Sequence, residues 1–95
     1  MLILRKEAED DMKEAHEWYE GKRTDLGMEF IYEVECTFEI IRKNPRLYAK
    51  VFKNVRRVLC SHFPYSIYFF ERGSDIIVIG VLHQRRNPTV WQARQ

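Results

Sequence analysis

Residues 65–82 read YSIYFFERGSDIIVIGVL, two apolar runs divided by a turn. Tyr65–Glu71 is rich in aromatic and β-branched residues, which suit a pleated, half-covered surface. Arg72-Gly73-Ser74-Asp75 supplies the turn, with glycine where positive φ costs little. Ile76–Leu82 is the most apolar segment of the chain and belongs in the middle of a sheet or under cover. The stretch predicts a β-hairpin on which the rest of the chain has to pack.

Upstream, residues 50–60 (KVFKNVRRVLC) are β-branched and basic and predict one further strand, separated from the hairpin by Pro64. Before it, Asn44-Pro45 stops a helix, because proline disfavours helical geometry in the residue preceding it. That helix starts near Thr24 or Asp25, either of which is a capping residue type. Its apolar stripe is Leu26, Phe30, Val34, Phe38 and Ile41, widened by Ile31 and Ile40, and Arg42 and Lys43 favour its last turn. A first helix over residues 6–21 repeats Ala8, Met12, Ala15 and Tyr19 at helical spacing, with Trp18 beside them as part of the same core. Glu7, Glu9, Asp10 and Asp11 crowd its first turn, and Gly21 marks its end. The short connection at 21–24 makes the pair an antiparallel hairpin. Leu2–Leu4 reads as an edge strand. Downstream, Thr89–Arg94 reads as a short terminal helix after Pro88, with Trp91 packing the tail onto the sheet. The order of elements predicts an α+β fold: a helical hairpin on a mainly antiparallel sheet of three to four strands, in one domain spanning residues 1–95.

The 95 residues carry a formal charge of +2, with 45% hydrophobic and 32% charged residues. That apolar content excludes a disordered chain. The small total conceals a split. Residues 1–40 hold 5 Lys/Arg against 12 Asp/Glu, a balance of −7, whereas residues 41–95 hold 11 against 2, a balance of +9. The second half is thus the expected basic working surface. Two cysteines, Cys36 and Cys60, form no C-x-x-C pair and no disulfide scaffold. No run is long enough to span a membrane, and Met1–Lys6 lacks the pattern of a signal peptide, so the expectation is a cytoplasmic protein with reduced thiols. No metal-ligand cluster and no Gly-rich phosphate loop occur, so no cofactor is expected.

The chain resembles the RelE/ParE superfamily of bacterial type II toxins, often labelled plasmid stabilisation proteins. The resemblance rests on the order and spacing of several landmarks. They are Ala8 through Trp18-Tyr19-Glu20, Leu26-Gly27 and Phe30, Ile41 and Asn44-Pro45, Arg56, Phe63-Pro64-Tyr65-Ser66-Ile67-Tyr68, and the tail His83-Gln84-Arg85-Arg86-Asn87-Pro88 with Trp91 and Arg94. It implies two N-terminal helices on a curved antiparallel sheet and a cognate antitoxin bound to the toxin as a hetero-oligomer. It also implies one of two targets. RelE-like members cut mRNA on the ribosome without a metal; ParE-like members inhibit DNA gyrase and are not enzymes.

Metal-free RNA cleavage by the 2′-hydroxyl needs an acid/base pair and cations that stabilise the phosphorane. His83 is the natural acid/base by its ordinary pKa. Arg56 and Arg85 are the natural phosphate clamps, since guanidinium offers a planar fork, and the RNase reading sets both on one concave surface. Lys50, Lys53, Arg56, Arg57, Arg85 and Arg86 together form the candidate surface for nucleic acid or another target. Against this stand plain structural readings: an Arg56 ion pair, a satisfied His83, a solvated Arg85-Arg86. The low total charge disfavours an RNA-seeking enzyme. The tail beyond Pro88 offers only Trp91 and Arg94 where the family's RNases place a catalytic aromatic or histidine. The expected function is therefore a ParE-like gyrase inhibitor. A RelE-like mRNA endonuclease is the alternative, and an inactive interaction module of the same fold is the third reading. An acidic antitoxin peptide is expected to fold onto the basic half, as an added strand or a helix in a groove.

Overall fold

A computed structural model describes residues 1–95. The chain runs β1 (Leu2–Leu4), α1 (Lys6–Lys22), α2 (Leu26–Lys43), a 3-10 turn (Pro45–Leu47), β2 (Lys50–Phe52), β3 (Val55–Leu59), β4 (Tyr65–Arg72), β5 (Asp75–His83) and α3 (Thr89–Gln92). The strands form one five-stranded sheet in the order β1-β5-β4-β3-β2. Every neighbouring pair is antiparallel except β1 with β5, where Leu2, Ile3 and Leu4 lie opposite Ile76, Ile77 and Val78 in parallel. The expected α+β architecture holds, with β5 between two neighbours as its apolarity demands and β1 at an edge.

Five strands replace three to four because residues 50–60 are not one strand. Lys53 takes a left-handed conformation (φ 53°) and the chain reverses through Lys53-Asn54. A two-residue hairpin needs positive φ within its loop. Here that position falls on a lysine, so the usual glycine or asparagine signal is missing from it.

The helical hairpin is joined by a cap from an unexpected source. Asp25 is left-handed (φ 70°) and its side chain caps nothing. Instead Glu20, from the last turn of α1, accepts hydrogen bonds from the Asp25 N–H at 2.8 Å and the Gly27 N–H at 2.9 Å. These backbone donors, Asp25 first, pull the Glu20 carboxyl below its ordinary pKa. A Cβ at Gly27 would stand 2.6 Å from the His16 carbonyl oxygen, so only glycine lets the two helices approach this closely.

The buried stripe of α1 is Ala8, Met12, Ala15 and Tyr19; that of α2 is Phe30, Val34, Phe38 and Ile41. Both face one side of the sheet, where Tyr19, Phe30, Phe63 and Tyr65 meet ring to ring at 4.9–6.0 Å between centroids. Trp18 and Ile40 do not join this core and are 58% and 53% exposed. They lie just outside the arc that the sheet covers.

The opposite face of the sheet buries Val55, Tyr68, Phe70, Ile77, Ile79 and Leu82. Its cover is the single turn of α3. Trp91 is buried there and stacks on Tyr68 at 4.4 Å with ring planes 16° apart. Just past α3, the Arg94 guanidinium donates to both oxygens of Asp11 on α1, at 2.6 and 3.2 Å, and to the Ile79 carbonyl at 3.1 Å. The Val81 N–H donates to the same Asp11 carboxylate at 3.1 Å. The pair closes the edge of β5 beyond the end of β1 and ties all three layers together.

Replacing Arg94 by Ala leaves a nearly buried carboxylate unpaired and is expected to cost about 3 kcal/mol in urea unfolding. Trp91→Ala is expected to cost about 3–5 kcal/mol, since it uncovers a whole face. Cys60, buried among Thr37 and Glu33, has its thiol pushed up from 9.0 to about 11, chiefly by burial. The folded state holds this proton more tightly than the unfolded chain. Stability is then complete below pH 9 and falls as the pH climbs towards 11. Urea midpoints across that range should decline in the natural chain and decline less in Cys60→Ala.

Candidate functional site

The basic residues read from the sequence are distributed over different faces. Arg56 and Arg57 are neighbours on β3, and strand geometry sends them to opposite sides. Arg56 turns to the helix side, where its Nη1 donates to the Tyr48 carbonyl at 2.6 Å and its Nε lies 4.0 Å from Glu71 Oε1. Arg46 holds the other oxygen of Glu71 at 3.3 Å. Arg57 lies opposite Tyr68 on the tail side and is exposed. Lys50 is exposed on the edge strand β2, and Lys53 sits at its turn with Nζ 5.3 Å from the centre of the Phe52 ring.

His83 ends β5 opposite Tyr65, with the two rings edge to face at 5.5 Å. Its Nδ1 accepts the Arg85 backbone N–H at 3.0 Å, which puts the ring proton of a neutral imidazole on Nε2. The Arg86 N–H donates to the His83 carbonyl at 2.9 Å, completing a tight turn. Arg85 and Arg86 themselves are exposed. His83, Arg85 and Arg86 are thus brought together at one end of the sheet, and Arg56, held at Tyr48 and Glu71, is not part of that group.

His83 opens into a cleft of about 840 Å³ between the end of β5 and α1. Tyr65, His83 and Arg86 form one wall, and Asp11, Glu14, Glu17 and Trp18 form the other. Burial raises the Tyr65 phenol above its ordinary pKa, helped by Tyr19 and Glu14 and opposed by Arg86. Tyr65 therefore stays a neutral hydroxyl at neutral pH. With Asp11 paired to Arg94, the free charges lining the cleft are Glu14 and Glu17 against Arg86, a net negative balance that disfavours a phosphodiester and suits a cation or a basic peptide.

The acidic wall escapes a reading by composition, where Asp11 serves the helix dipole and Glu14 and Glu17 only add to the acidic balance of residues 1–40. Its signal is spacing: Asp11, Glu14 and Trp18 recur at i, i+3 and i+7 and so share one flank of α1. No cluster of His, Cys, Asp and Glu has the arrangement of a metal site.

The sequence model of the family described as "ParE toxin of type II toxin-antitoxin system, parDE" matches residues 2–88. A solved structure titled "Chromosomal ParDE TA system from P. aeruginosa" superposes with a TM-score of 0.78 at 14% sequence identity, covering 86% of this chain and 92% of that one. At that identity the likeness is one of fold. No curated protein sequence matches the chain.

The two adjacent arginines should behave differently. Arg56→Ala strips the Tyr48 carbonyl of its donor and removes the guanidinium facing the buried Oε1 of Glu71, with an expected cost of about 1–3 kcal/mol. Arg57→Ala should stay within about 0.5 kcal/mol. Urea denaturation of both variants checks this, and equal losses would contradict the inward placement of Arg56.

Proposed function

Because this chain belongs to the ParE toxin family, the toxins of type II toxin–antitoxin systems, we propose that it arrests growth by binding DNA gyrase in the cytoplasm and not by cutting RNA. The observation that carries this reading is that the cleft into which His83 opens is lined by the unpaired carboxylates Glu14 and Glu17 against the single cation Arg86, Asp11 being paired with Arg94. A ribosome-bound nuclease has to bring a polyanion to its acid/base residue, and here that residue shares its cleft with Glu14 and Glu17. The phosphate clamp is also incomplete, since Arg56 is engaged with the Tyr48 carbonyl on the helix side. A protein target imposes no such requirement. On this reading Lys50, Lys53, Arg57, Arg85 and Arg86 belong to binding surfaces, and the basic half receives the acidic segment of the cognate antitoxin.

Induction of the chain in a bacterial host tests the proposal. The expected outcome is growth arrest with DNA breaks and an SOS-type response, intact transcripts on ribosomes, and relief by the cognate antitoxin. His83→Ala should arrest growth as strongly as the natural chain. Cleaved ribosomal transcripts that disappear in His83→Ala would replace this reading by the RNase one. No arrest at all would favour an inactive interaction module.

A further inference from the structure

The core leaves one flank of the hairpin unexplained. On the outer face of α2, Met28, Tyr32 and Ile40 are 58%, 71% and 53% exposed, and the exposed Cys36 falls between them at the same four-residue spacing. Three large apolar side chains on one helix flank form a contiguous patch, unlike single exposed residues scattered over a surface.

The patch is the floor of a groove of about 820 Å³ whose far wall is the 61–63 loop. That wall is fixed. Glu33 accepts the His62 N–H at 3.0 Å and the Phe63 N–H at 3.2 Å, and its Oε1 lies 2.7 Å from His62 Nδ1. Asp25, Glu29 and Glu33 line the groove and no lysine or arginine does. Arg23 reaches Glu29 from outside the groove at 3.0 Å, which leaves the rim net negative.

The geometry points to a docking groove for an amphipathic helix of a partner protein whose apolar stripe is flanked by Lys or Arg. Residues four apart form the ridge that packs between the ridges of a crossing helix. The carboxylate rim selects the sign of the flanking residues. An acidic antitoxin segment is repelled here and directed to the basic half instead. A second copy related by a two-fold axis would present the same acidic hairpin, with its balance of −7 over residues 1–40, and is repelled likewise. The inference needs only the groove and is independent of whether gyrase is the target.

The test uses the purified chain and two fluorescent helical peptides of about 18 residues, five turns each. Both carry the same leucine stripe, one flanked by lysines and the other by glutamates. Anisotropy should report binding of the lysine peptide only, weakened by salt. The double substitution Tyr32→Ser with Ile40→Ser should weaken it at least tenfold with an unchanged circular dichroism spectrum. Trp18→Ser, in the cleft along α1, should leave it unchanged. The inference is overturned if neither peptide binds, if both bind equally, or if the Tyr32/Ile40 variant binds as well as the natural chain. It is overturned as well if Trp18→Ser alone abolishes binding. Self-association in sedimentation that Tyr32→Ser removes would assign the groove to a second copy instead.

Discussion

The ion pair between Asp11 and Arg94 is the point on which the layers depend. A sheet with two apolar faces must be covered twice, and this chain covers one face with two long helices and the other with a single turn around Trp91. One turn of helix has little stability of its own. It stays in place because Trp91 stacks on Tyr68 and because Arg94 passes the edge of β5 to meet a carboxylate on the far layer. Gly80 leaves room for the passage: a Cβ there would stand 3.2 Å from the Arg94 guanidinium, which would have to shift by a few tenths of an ångström. Arg5 adds a hydrogen bond at 2.6 Å to the Arg94 carbonyl, so both ends of the chain converge on one edge of β5.

This construction also separates the charges. The helices carry the acidic half on one side, and the strands and tail carry the basic half. Each acidic cleft opens along a flank of the hairpin and combines carboxylates with exposed aromatic or aliphatic groups. The basic residues lie on the edge strand, on the tail side of β3 and in the turn after β5. On the proposed reading, the antitoxin and the partner helix can each meet a different surface, and neither surface has to compromise its charge.

The helical hairpin, the strand pair at 65–83 and the position of Trp91 were legible in the sequence because each rests on periodicity or on a local stop signal. The turn at Lys53-Asn54 was hidden because a lysine occupies the left-handed position. The cap on α2 was hidden because it comes from Glu20, which no rule about the residues just before the helix would select. Trp18 and Ile40 fit the helical stripe by spacing, yet the sheet is too narrow to cover them. Of the candidate site, the grouping of His83 with Arg85 and Arg86 follows from adjacency. The inward turn of Arg56 and the acidic wall opposite His83 depend on which helix flank meets which strand end, a long-range relation that local patterns do not contain.

The parallel pairing of β1 with β5 has a consequence for synthesis. Residues 2–4 precede their strand partners at 76–78 by most of this sequence and stay unpaired until those are made. Until then the apolar stripes of α1 and α2 have no sheet to cover, and the edge of β5 has no Asp11–Arg94 clasp. A translation product halted within β4 lacks β5, the strand that joins β1 to the rest of the sheet. The edge of the sheet on which the two termini meet therefore closes only after β5 and the tail have both been made.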